Sequence, residues 1–227
     1  VRAIRAVRIV SDQRERNVDR LILPAMPARV RLALMVFASL AILAAAGVIF
    51  FTRPEAPPPL GASGFAGGLR PPIAPKDFTL RDQDGHVVSL RDYRGQVVVL
   101  TFLYSTCQDT CPVTATTIRG ALDELGHDVP ALAVSVDPAH DTPDSAEAFL
   151  VKRGLSAGRM RFLLGTRAQL APIWHDYGIR PQGNGFEHSA YVLLIDKRGR
   201  QRVSFPVDQL VDRDLAHDIR KLERERA

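Results

Sequence analysis

The sequence predicts an α/β fold, a central β-sheet flanked by helices, preceded by one N-terminal transmembrane helix. Three observations carry this reading. From residue 76 onward, β-branched and aromatic segments alternate with segments of helical period. An uncharged run of twenty residues, Leu32 to Phe51, stands near the N-terminus, and a stretch rich in proline and glycine separates it from the α/β part.

The run "LALMVFASLAILAAAGVIFF" holds no charge and no proline. As a helix rising ~1.5 Å per residue, twenty residues match a hydrocarbon core of ~30 Å. A buried core helix rarely stays so apolar. A cleavable signal ending near Ala44 to Ala46 would leave Val48, Ile49, Phe50 and Phe51 extending the run beyond its cleavage site, so an uncleaved anchor fits better. Residues 1–31 carry eight arginines against Asp12, Glu15 and Asp19, which accounts for the whole net charge of +5; residues 32–227 balance 22 basic against 22 acidic side chains. The charge therefore speaks for topology and against nucleic acid as a partner. With the arginines ahead of the span, the expected arrangement is a single-pass inner-membrane protein, N-terminus in the cytoplasm and the rest in the periplasm. Residues 1–31 are then a basic cytoplasmic arm, expected to be disordered, within which Met26 opens a second basic start, "MPARVR".

Residues 52–75 contain seven prolines and four glycines without a hydrophobic period, the composition of a linker. That leaves one domain, 76–227, large enough for a single core. In it, "FTLRDQDGHVVSL" alternates around Asp84-Gly85 and reads as a hairpin. "QVVVLTFLY" reads as a strand buried on both faces. Pro112 suits the first turn of a helix that runs to Leu125 and stops at Gly126. The alternation continues with a strand at Ala131–Val136, a helix near Ser145–Lys152, a short strand near Phe162 and a helix at Gln169–Tyr177. A Gly-rich loop, "GIRPQGNGFEH", follows. Strands at Ser189–Asp196 and "QRVSFP" and a charged helix from about Val211 complete the domain.

The two cysteines of the chain, Cys107 and Cys111, both stand in "FLYSTCQDTCPVT". A pair that ends the first buried strand and opens a helix points to a thioredoxin-like sheet. A helix N-terminus favours thiolate over thiol. Spacing of four puts both sulfurs on one side of the first turn, within reach of each other or of one shared ion. A structural disulfide closing so short a loop would staple little of the domain. For a third ligand the candidates are His86, His127, His140, His175, His188 and His217. His188 stands apart, because it ends the Gly-rich loop that a thioredoxin-like sheet turns toward the cysteines. Two sulfurs and one imidazole suit Cu(I), with a Cu(II) form also compatible, whereas Zn(II) would recruit a fourth ligand.

Residues 76–227 resemble the Sco/SenC family of membrane-anchored copper chaperones for cytochrome oxidase assembly. The resemblance rests on "FLYSTCQDTCP", on "SVDPAHDTPDSAEAFL" and on "EHSAYVLLIDKRG", in that order behind an anchor. It implies copper ligation by Cys107, Cys111 and His188, with Asp109 lending negative charge beside the ion. Gln108 stands where the family commonly has proline, and Glu187 where it commonly has aspartate. His140 falls outside the implied ligand set and reads as a solvated turn residue, while Trp174 and Tyr177 read as core. The implied function is delivery of copper, received from a periplasmic donor, to the copper-bearing subunit of cytochrome c oxidase. Two enzymatic readings compete: a tethered thiol-disulfide reductase acting on cysteines of the oxidase copper site, with Cys107 and Cys111 as its redox pair, and a peroxidase-like relative attacking through Cys107.

Overall fold

The structure, a computed structural model, describes residues 27–51, 63–71, 77–180 and 191–226. The chain divides into two units, Val1–Pro58 and Pro59–Ala227. In the first, helix α1 (Ala28–Phe51) covers the apolar run, and Leu32, Met35, Phe37, Ile42 and Leu43 are exposed on it. Among the described residues no helix is long and apolar enough to cross a membrane.

The second unit is a mixed α/β fold of the thioredoxin-like type. Its strands are β1 (Gly68–Leu69), β2 (Thr79–Arg81), β3 (Val87–Ser89), β4 (Val98–Leu103), β5 (Ala131–Ser135), β6 (Arg161–Leu163), β7 (Tyr191–Ile195) and β8 (Gln201–Pro206). Helices α2 (Thr110–Leu125), α3 (Pro143–Arg153), α4 (Arg167–Tyr177) and α5 (Asp212–Arg224) connect or flank them. The main sheet has the order β1-β8-β7-β4-β5-β6, and β2 and β3 form a separate hairpin. Because β4, β5 and β6 are parallel, their C-terminal ends share one edge. Strand β7 runs antiparallel to β4, with Val192 opposite Thr101, so Tyr191 starts it at that same edge.

The period of two along β4 sorts the core. Val99 and Leu103 face a layer containing Ile118 and Leu122 of α2, Phe149 and Leu150 of α3, and Leu215 and Ile219 of α5. Val98, Leu100 and Phe102 face the opposite layer, with Leu80 and Val88 of the hairpin and Leu170, Trp174 and Tyr177 of α4. Every residue of β4 is therefore buried, as a strand covered on both faces requires. Trp174 and Tyr177 are core, and the Trp174 indole N–H donates to the Ser135 carbonyl at 2.9 Å. The hairpin also closes the β6 edge. Leu164 N–H donates to Arg81 O at 2.7 Å, and Phe162 N–H to the Gln83 side-chain oxygen at 2.9 Å. An edge satisfied in this way offers little to a foreign strand.

The boundary of the domain differs from the sequence reading. Residues 63–71, assigned to the 52–75 linker, are part of the fold. Gly68 and Leu69 pair with Ser204 and Val203 of β8, and Phe65 is buried between Arg202 and Lys221. The wholly buried Asp218 of α5 accepts Ala66 N–H at 2.9 Å and Gly67 N–H at 2.9 Å. Gly67 is glycine for space, since a Cβ there would overlap Val203 and Phe205.

Asp218→Ala leaves two N–H donors without an acceptor, at about 1–3 kcal/mol for each buried unsatisfied group. The full chain should lose about 3 kcal/mol of stability in urea, and residues 63–71 should become susceptible to proteolysis. An unchanged midpoint with an intact segment would show that Asp218 does not hold it.

Candidate metal and thiol centre

The loop from Tyr104 to Asp109 leaves the C-terminal end of β4 and enters α2. The first four N–H groups of a helix lack intrahelical partners, and a Ser, Thr, Asp or Asn side chain at the cap commonly accepts one of them. Asp109 occupies the cap position here and makes no such bond. Cys111, the second residue of α2, instead donates its N–H to Cys107 Sγ at 3.4 Å. Sulfur does the work of a capping oxygen, and this puts the two cysteines side by side. Both are buried, and no disulfide joins them.

Their protonation is split. The side-chain hydrogen bond from Cys111, joined by the backbone N–H groups of Asp109 and Cys111 and the Tyr104 hydroxyl, holds the Cys107 thiol well below the ordinary range against the cost of burial. The same bond to Cys107, reinforced by burial, pushes the Cys111 thiol upward. Burial also raises Tyr104, which keeps its proton to donate. The pair is one thiolate and one thiol, arranged to attack an electrophile or to receive a soft ion.

Behind the loop stands Asp141, nine-tenths buried. It accepts Ser105 N–H at 2.7 Å, Ser105 Oγ–H at 2.6 Å and Ser135 Oγ–H at 2.5 Å. Burial pushes its carboxyl upward, opposed by these donors. Tyr104, Ser105 and Asp141 were missed by sequence reasoning. They stand in "FLYSTC" and "DPAHDTPDS", and only the fold brings the two segments together.

The described histidines lie elsewhere, each beside a carboxylate. His140 is exposed, with Nδ1 2.8 Å from Asp137, and His127 Nε2 is 2.8 Å from Glu223. His175 adjoins Asp176, and His217 adjoins Asp218. Asp82, Asp84 and His86 converge within 4.8 Å on the hairpin turn. There Asp82 already accepts the N–H groups of Asp84 and His86 and pairs with Arg161, so the cluster is a turn built around one carboxylate. Among the described residues no histidine joins the cysteines; His188 lies outside the described residues, as does Glu187. Asp109 is exposed beside the pair, and so are Gln108 and Val113.

Comparison with known proteins places this geometry. The SCO1/SenC family profile matches residues 69–224. Protein SenC of Rhodobacter capsulatus is 38% identical over 131 residues, 53% of this chain and 58% of that protein; the chain thus spans little more than half the length of this curated relative. Among solved structures, BsSco, described as a member of the Sco family of cytochrome c oxidase assembly proteins, superimposes with a TM-score of 0.60 at 24% identity, covering 70% of this chain and 99% of its own. Bradyrhizobium japonicum ScoI with copper bound gives a TM-score of 0.55 at 24% identity, covering 66% and 99%. At these identities the structural likeness speaks for the fold.

The split protonation has a spectroscopic consequence. Reduced, metal-free protein should retain one equivalent of ultraviolet thiolate absorbance at a pH of about 6, well below the ordinary thiol range near 8.5. Cys107→Ser should abolish it. Absorbance that appears only as the pH passes the ordinary thiol range would contradict the assignment of the thiolate.

Proposed function

The chain belongs to the SCO1/SenC family, and on that premise we propose that it is a membrane-anchored copper chaperone that delivers copper to the copper centre of cytochrome c oxidase during assembly. The observation that carries the reading is the thiol pair. Cys107 and Cys111 share the first turn of α2, with one sulfur already held as thiolate. Two soft sulfurs fit Cu(I) by ligand type. Copper is the cargo here, so the site must also release it.

Two thiolates alone leave an ion open to competing ligands, and His188 is the proposed third ligand. It precedes Tyr191 by three residues in the sequence, and Tyr191 starts β7 at the edge where β4 leads into the cysteine loop. Its imidazole must be neutral and Cys111 must give up its proton for the ligand set to form, so affinity falls in acid. Because Cys107 is already ionised, copper entry releases one thiol proton from the pair.

The uncharged run Leu32 to Phe51, with the arginines ahead of it, supports an anchor in the inner membrane, the arginine-rich arm in the cytoplasm and the copper domain in the periplasm. A periplasmic donor and the oxidase subunit would approach over Gln108, Asp109 and Val113, which are exposed around the buried sulfurs. The competing reading, a thiol-disulfide reductase, uses the same cysteines: Cys107 would attack a disulfide and Cys111 would resolve the mixed intermediate.

His188→Ala separates the two. It deletes the proposed third ligand and leaves the thiol pair with its helix N-terminus. Disulfide formation between Cys107 and Cys111 should survive while copper binds far more weakly. Cells carrying the variant should be deficient in oxidase, and added copper should partly relieve the deficiency. Full oxidase activity in His188→Ala, alongside complete loss in Cys107→Ser, would overturn the chaperone reading in favour of the reductase.

A further inference from the structure

The stretch from Ser135 to Ser145 contributes no ligand to the proposed copper site, yet it closes around the loop that presents Cys107. Ser105 leaves β4 and donates both its N–H and its hydroxyl to Asp141 Oδ1, across a separation of 36 residues. Asp141 Oδ2 is tied to Ser135 at the end of β5. Ser105 Oγ also lies 2.8 Å from Ser145 Oγ, and Ser145 completes the capping box of α3 with Thr142. One buried carboxylate thus joins the end of β4, the end of β5 and the start of α3.

Cys107 sits between two fixed points. On one side, with Thr106 between them, is Ser105, held by Asp141. On the other is the first turn of α2, whose Cys111 N–H points at its sulfur. If Ser105 were released, Cys107 Sγ would drift from the N–H donors that favour its reduced form. We propose that Asp141 is a positioning residue for the thiol pair, holding Cys107 in the geometry that favours the reduced state over the disulfide.

The test is the equilibrium of the full chain with glutathione, copper excluded by a chelator, so that its outcome stands apart from the copper reading. In the exchange the Cys107 sulfur attacks glutathione disulfide and releases one glutathione. Cys111 then loses its proton, attacks the Cys107–glutathione bond and releases the second. The protein gives up two electrons and glutathione disulfide takes them. Asp141→Ala should raise the equilibrium constant for oxidation at least tenfold, about 30 mV for this two-electron couple. Asp141→Asn retains an acceptor for Ser105 and should move it less. Asp218→Ala, which destabilises the domain by releasing residues 63–71 instead, should leave the constant unchanged. If Asp141→Ala does not fold, Ser105→Ala should shift the constant in the same direction. A constant within threefold of the parent in the folded Asp141 or Ser105 variant, or an equal shift in Asp218→Ala, overturns the proposal.

Discussion

The hydrogen bond from Cys111 N–H to Cys107 Sγ is the contact on which the site depends. A helix must satisfy its first N–H groups somewhere, and the cap residue Asp109 leaves the task to a sulfur two residues before it. That capping sulfur aligns the cysteines, and the side-chain hydrogen bond between them, aided by the backbone N–H groups of Asp109 and Cys111, draws negative charge onto Cys107 and keeps Cys111 protonated beside it.

The rest of the domain holds that terminus still. Three parallel strands end at one edge, so the loop carrying the cysteines and the loop carrying Asp141 emerge side by side. Asp141 then ties them through Ser105 and Ser135. Below, Ile118 and Leu122 seat α2 on the sheet. On the far edge the hairpin closes β6 through Gln83 and Arg81, leaving the cysteine edge as the place where chemistry is presented.

Much of this was legible in the sequence because periodicity and burial are local signals. The continuous apolar run of β4, the stop at Gly126 and the strand "QRVSFP" carry their own structure, and the helices differ from their expected spans by a few residues at the ends. The start of α2 at Thr110 lies earlier than the sequence reading, which opened the helix near Pro112 and gave Asp109 no capping role; Asp109 does hold the cap position, but without a side-chain bond. Residues 63–71 escaped for a different reason. Proline and glycine read as flexibility, but Gly67 serves close packing against Val203 and Phe205, and the partner that fixes the segment, Asp218, lies about 150 residues away. Asp141 was hidden likewise, since its donor Ser105 lies 36 residues away and meets it only in the fold.

The account stands or falls on the metal that the thiol pair prefers. The most direct measurement is the metal content of the full chain in detergent, reduced and then offered copper and zinc together. One equivalent of copper bound, lost when either Cys107 or Cys111 is replaced by serine, is the predicted result. Tight zinc at one equivalent with copper absent would contradict it.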